Sequence, residues 1–314
     1  ARSVLSLYSY DPDPDNTSID NMLLQSVKLI GYFPSIVANA YAVQRHYFHG
    51  DSLHIHFPVP ELSTAENFLR MMRPDKSYTD EEAHLLDMML MVHAEHGGGN
   101  NSTFVCRAMS SRGTATYSAI AGAVGSLKGP LHGGANAKVM EMFRYVKENV
   151  DPHDDGSIRD YLNKLLDKQA GDRSGKIYGL GHAVYTMSDP RAVLLKKYAQ
   201  RMAELKGYAD DFALLQKVEE IGIPLVMERK GSDTPMCANV DMYSGLVYTM
   251  LGIPEEVFTP LFASARIAGW CANRIEEVVT CHRIMRPAYR AVTTHEHYVP
   301  MEQRGEHLHL TSAE

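Results

Sequence analysis

Apolar residues recur along this chain at spacings of three and four, the period of an amphipathic helix. In "TDEEAHLLDMMLMVHAEH" Leu85, Met88, Met89 and Val92 share a face, and in "NAKVMEMFRYVKENV" Val139, Met140, Phe143 and Val146 do. Helix starts are marked as well. Ser63 with Glu66, and Thr79 with Glu82, have the spacing of capping boxes, in which each partner satisfies a backbone N–H that the helix leaves free. Asp189 reads as an N-cap with Pro190 at the first helical position. The run "DMYSGLVYTMLGIP" extends to Gly252 and stops before Pro254. Strand-like alternation is clear only in "SLHIHF", residues 52–57. The pattern predicts an all-α chain with little sheet, and the 17 methionines, mostly at helical spacing, read as core filler.

Composition narrows the classes. The chain has 314 residues, 45% hydrophobic and 22% charged, enough for one large domain or two around a sizeable core. No apolar stretch approaches the ~20 residues that cross a bilayer. The first residues, "ARSVLSLYSYDPDPDN", lack the basic flank and apolar run of a signal peptide, and the absence of a starting Met points to a fragment. A net charge of −7 argues against general nucleic-acid binding, so an anionic ligand would need a local cluster of Arg and His. Cys106, Cys237, Cys271 and Cys281 have no CxxC spacing, and sparse cysteine suits a reducing, cytoplasmic compartment.

The chemistry gathers at four glycine-rich breaks: "HAEHGGGNN", "GPLHGGAN", "YGLGHAVYTMSDPR" and "CANVDMYSG". The first is read as ending a helix at His96. Its His93 and His96 admit a metal, an anion or a helix end as partner, although the HExxH spacing is absent. "GLGHAV" lacks the third glycine of a dinucleotide fingerprint. His132 and His182 sit in loops that feed helices. A helix N-terminus disfavours imidazolium, so such a histidine stays neutral and can polarise a carbonyl by donating from N–H. The alternative is a pair of buried, hydrogen-bonded histidines. Asp241 is either a carboxylate base or an N-cap. Arg191, Arg266, Arg274 and Arg286 are singly ordinary surface arginines. Together with two histidines and one aspartate they suit proton abstraction next to a carbonyl, with a dianionic partner held by arginine forks.

In this order, with "HAEHGGGNNSTF" upstream and "MRPAY" downstream, these stretches resemble the citrate synthase family from about residue 80 to 290. The resemblance implies an all-α homodimer. Its large domain would span 1–133 and 253–314, with the N-terminal part missing, and a smaller mobile domain 134–252. It implies condensation of acetyl-CoA with oxaloacetate and hydrolysis of citryl-CoA to citrate at the entry to the tricarboxylic acid cycle. Coenzyme A is then substrate and product, with no metal or redox cofactor, no nucleic acid and no membrane. By position, Asp241 resembles the base, His132 the group at the thioester oxygen and His182 the group at the oxaloacetate ketone. His96, Asn100, Arg191 and Arg266 match oxaloacetate-binding positions, and Arg286 matches an arginine supplied by the neighbouring subunit. Ile177, Tyr178, Gly179, Leu180 and Gly181 match a stretch lining the CoA adenine site. Thr186 stands where some members carry an arginine for CoA phosphates, so either Lys176 or Lys230 compensates as the cation or CoA binding is weaker. The same residues also fit 2-methylcitrate synthesis from propionyl-CoA, since one extra methylene is worth only about 1–3 kcal/mol in a pocket. A non-catalytic fragment of this family is the remaining alternative.

Overall fold

The computed structural model describes residues 1–129, 132–182, 184–231, 234–281, 283–290, 292 and 298–303. Its α-helices among those residues are α1 (Arg2–Ser6), α2 (Ile19–His49), α3 (Thr64–Met72), α4 (Asp80–His93), α5 (Asn101–Ser110), α6 (Thr116–Leu127), α7 (Ala135–Asn149), α8 (Asp155–Leu166), α9 (Pro190–Lys206), α10 (Ala209–Lys230), α11 (Asp241–Met250) and α12 (Glu255–Thr280). Residues Ala1–Ile284 form one compact unit, and the chain from Met285 on belongs to a second.

The local signals operate as their chemistry requires. Both capping boxes are complete, at Ser63/Glu66 and at Thr79/Glu82. The Asp189 side chain accepts from the Arg191 N–H at the start of α9, one residue past Pro190. The apolar stripe of α7 is buried. Helix α12 is the axis of the larger group of helices. It packs on α2, α4, α5 and α6, and buries Phe258, Leu261, Ile267 and Trp270. Each such side chain contributes roughly 1.5–3 kcal/mol when withdrawn from water. Helices α7 to α11 pack on one another, α11 against α7 and α9, and α10 against α8 and α9.

Two expectations change. Residues 52–57 are irregular, not a strand. Leu53, Ile55 and Phe57 are exposed, and among the described residues no strand lies beside them. Among the described residues the β-type contact is one isolated antiparallel bridge, Leu180 with Ala238. Helix α4 ends at His93 and not at His96. The Gly269 N–H of α12 donates to the Ala94 carbonyl (3.2 Å), so that carbonyl is taken by a neighbouring helix.

Candidate active site

The four breaks meet at one cavity of about 490 Å³, whose lining includes His96, Asn100, His132, His182, Arg191, Asp241 and Arg266. Gly133 is needed where the second break passes α12. A Cβ there would collide with the Leu127 carbonyl and stand 2.6 Å from Thr259 Cγ2, while Thr259 Oγ1 donates to the Gly133 carbonyl at 2.6 Å.

His132 is neutral, though the helix responsible is not the one it precedes. Its Nε2 lies 3.3 Å from the Ser102 N–H, in the first turn of α5, and 3.0 Å from Ser102 Oγ. An Nε2 that accepts a backbone N–H carries no proton, so the proton sits on Nδ1. Burial, the Arg266 charge next, lowers the pKa of His132 further. His182 is fixed in the opposite sense. Its Nδ1 accepts from the N–H groups of Val184 (2.9 Å) and Tyr185 (3.1 Å), which leaves Nε2 as the protonated nitrogen. That nitrogen faces His96 Nε2 at 3.1 Å and Arg191 Nη2 at 3.4 Å. Burial, then His96 and Arg191, hold the pKa of His182 down. Loop amides, not the start of α9, set its tautomer.

The arginines divide. Arg266 is 1% exposed, gives Nε–H to the His93 carbonyl at 2.7 Å, and lies over the Phe262 ring. Among the described residues its Nη1 has no hydrogen-bond partner. Burial lowers its pKa to about 10, so it stays charged at neutral pH. A buried guanidinium with a free donor at a cavity wall is an anion site, because an unpaired buried charge is costly. Arg191 is oriented by the buried Asp189 through Nε (3.0 Å) and Nη2 (2.7 Å). Arg274, grouped with these from the sequence, is elsewhere. It is fully buried, donates to Thr116 Oγ1, Ser110 Oγ and the Thr114 carbonyl, and ties α12 to the α5–α6 turn.

Asp241 is the first residue of α11, not its N-cap. Its N–H is received by Asn239 Oδ1 at 3.0 Å, and Asn239 Nδ2 donates to the Gly181 carbonyl at 2.8 Å. Asn239 N–H also donates to the Gly179 carbonyl, and Gly181 N–H to the Cys237 carbonyl, so the loops of His182 and Asp241 are laced together. Burial pushes the Asp241 carboxyl up to about 6, against the Arg191 and Arg266 charges. Asn239 and Ser102 were not singled out from the sequence. The signal for Asn239 is an asparagine two residues before a helix-starting aspartate, the spacing of an Asx turn.

The remaining predicted positions are placed differently. Ile177 and Gly179 are buried and Tyr178, Leu180 and Gly181 half-buried in the loop leading to His182. Lys230 is exposed at the end of α10, and Thr186 and Lys176 are exposed. Arg286 is exposed and lies in the second unit.

An all-helical chain whose loops bring two neutral histidines, a carboxylate of raised pKa and a buried arginine to one cavity has the parts of an enzyme acting beside a carbonyl. The sequence model of the citrate synthase C-terminal domain matches residues 1–288. A citrate synthase of Deinococcus radiodurans is 37% identical over 295 residues, 94% of this chain and 72% of that protein. Among solved structures, citrate synthase from Pyrobaculum aerophilum matches with a TM-score of 0.77 at 30% identity, covering 96% of this chain and 72% of that one. A ternary complex of the Thermoplasma acidophilum citrate synthase with carboxymethyl coenzyme A and oxaloacetate also matches with a TM-score of 0.77, at 27% identity, covering 96% and 74%. The chain belongs to the citrate synthase family, and thus to the acyltransferases; citrate synthesis is the function that membership carries.

Proposed function

We propose that this site condenses acetyl-CoA with oxaloacetate and hydrolyses the product to citrate and CoA. The carrying observation is Arg266, buried with an unpartnered Nη1 at the wall of the cavity that also collects Arg191, His132, His182 and Asp241. Arg191 and Arg266, with His96 and Asn100, take oxaloacetate. The Thermoplasma acidophilum complex, with oxaloacetate and a CoA analogue bound, supports this ligand pair. Asp241 removes a methyl proton from acetyl-CoA while His132 Nδ1–H stabilises the oxygen of the forming enol. The enol carbon attacks the ketone carbon, and His182 Nε2–H stabilises the ketone oxygen as it gains charge. Water then adds to the citryl thioester, the C–S bond breaks, and CoA leaves as the thiol. A carboxylate of pKa about 6 is a stronger base than an ordinary aspartate and still ionised at pH 7. One oxyanion donor is worth roughly 3–4 kcal/mol, so enclosure must supply more. Closure of residues 134–252 over 1–133 and 253–314 is the proposed source. CoA is substrate and product; His132, His182 and the arginines provide the polarisation, so the scheme calls on no metal or redox cofactor.

The working form is a homodimer with Arg286 acting in the neighbouring site. In support, Ile19, Leu23 and Val27 form a ridge on α2, each more than half exposed, with Leu24 and Tyr32 beside it. Cys106, Cys237, Cys271 and Cys281 are all free thiols, which suits a reducing cytoplasm and a place at the entry to the tricarboxylic acid cycle. No helix among the described residues is long and apolar enough to cross a membrane.

The test is thiol release. The purified chain should liberate CoA from acetyl-CoA only when oxaloacetate is present, and form citrate in equal amount. Release without oxaloacetate, or none with it, overturns the proposal, and faster release from propionyl-CoA assigns the site to methylcitrate synthesis.

A further inference from the structure

The chain has one tryptophan, Trp270, and it is fully buried in α12. Its indole N–H donates to Ser102 Oγ at 3.2 Å. That hydroxyl is 3.0 Å from His132 Nε2 and 2.9 Å from Asn100 Oδ1, to which it donates. A hydroxyl has one hydrogen and two lone pairs, and an indole can only donate. The indole therefore occupies one lone pair, and the hydroxyl hydrogen is confined to the side where Asn100 and His132 lie. The Ser102 backbone N–H, 3.3 Å from the same Nε2, excludes a proton on that nitrogen.

We infer that Trp270 is a positioning residue: by filling one lone pair of Ser102 Oγ it turns the hydroxyl hydrogen to Asn100, and so fixes Ser102, whose backbone N–H keeps His132 in the Nδ1–H tautomer. This rests on the role proposed for His132. The competing account is packing alone, since the Trp270 carbonyl also accepts from Cys106 Sγ at 3.5 Å and joins α12 to α5. The two accounts part on what is lost when the N–H goes and the aromatic bulk stays. A packing role costs stability. A positioning role costs turnover and moves a titration, because a neutral Nε2 that loses a donor binds a proton more readily.

The experiment is Trp270→Phe, alone and in a Ser102→Ala background. With the N–H gone, kcat should fall roughly tenfold, the scale of one hydrogen bond. The oxaloacetate affinity should weaken less than kcat does, because Arg191 and Arg266 are untouched and only Asn100 is loosened. The titration of His132, followed by NMR of its imidazole, should move to higher pH. In the Ser102→Ala background the same change should add nothing, as the acceptor is already absent. An unchanged kcat and His132 titration, or the same fold loss in both backgrounds, overturns the inference. Emission from the single tryptophan gives an arm that needs neither the Phe variant nor activity. Ser102→Ala should shift it, and acidification should shift it in the parent but not in a His132→Asn variant. No shift in either comparison also overturns the inference. A parent that releases no thiol sinks the proposed reaction instead, and emission still decides whether Trp270 senses His132.

Discussion

Asp241 sits where its charge is costly, and this has opposite effects on rate and stability. Its pKa of about 6, raised by burial, means that the folded chain binds a proton there more tightly than the unfolded chain does. The penalty on folding is absent below the ordinary carboxylate pKa and fully present above pH 6. Asp241→Asn should therefore raise the melting temperature at pH 8 and leave it close to the parent at pH 4, while turnover falls by roughly 10²–10⁴. Calorimetry and the thiol assay measure the two effects. Turnover within tenfold of the parent removes Asp241 as the base, and an equal thermal shift at both pH values removes the burial argument. The parent's rate should fall about tenfold per pH unit below 6 as Asp241 is protonated. At this scale residue type and order were legible but surroundings were not. Arg266 and Arg274 lie on one helix, eight positions apart, and only packing separates a cavity-facing guanidinium from one satisfied by Ser110, Thr114 and Thr116.

Helices were legible where a cap or a one-sided stripe marks them, as in α3, α4, α7, α9 and α11. Helix α2 carries no capping box and shows apolar residues on two faces, Met22, Leu29 and Phe33 buried and Leu23, Val27 and Tyr32 exposed, so no single periodicity announces it. Helix α12 carries small residues at Ala263, Ala265, Ala268, Gly269 and Ala272. The structure gives Gly269 a local task. A Cβ there would overlap the Ala94 carbonyl and the Glu95 carboxylate, so its absence lets the loop carrying His96 lie against the helix. Glu95 is held on either side, by the Gly97 N–H and by Asn273 Nδ2 at 3.0 Å, and cannot retreat freely. Gly269→Ala should cost about 1–3 kcal/mol of stability from overpacking. It should also weaken oxaloacetate binding more than acetyl-CoA binding, because the displaced loop carries His96. Urea unfolding and calorimetric titration test this; a variant as stable as the parent, with unchanged oxaloacetate affinity, would show that the loop yields without moving His96.

Across the whole molecule, motif order foretold that distant segments meet, and the cavity joins residues from His96 to Arg266. Arg286 is the exception: it lies in the second unit and is exposed. If it serves the neighbouring subunit, function is a property of the pair, and lesions can be sorted between sites. In a mixed dimer of Arg286→Ala and Asp241→Asn chains, one site would join the subunit lacking the aspartate to the partner lacking the arginine, and carry both lesions. The other site would carry neither. Activity in mixed dimers should then recover towards half that of the parent after subunits exchange. If Arg286 acts within its own chain, every site carries one lesion and mixing restores nothing. Mass measurement of intact dimers establishes that exchange has occurred, so the thiol assay then decides directly. Recovery places the arginine across the interface, while exchange without recovery ends the shared-site proposal and leaves Arg191 and Arg266 as the anion-holding pair.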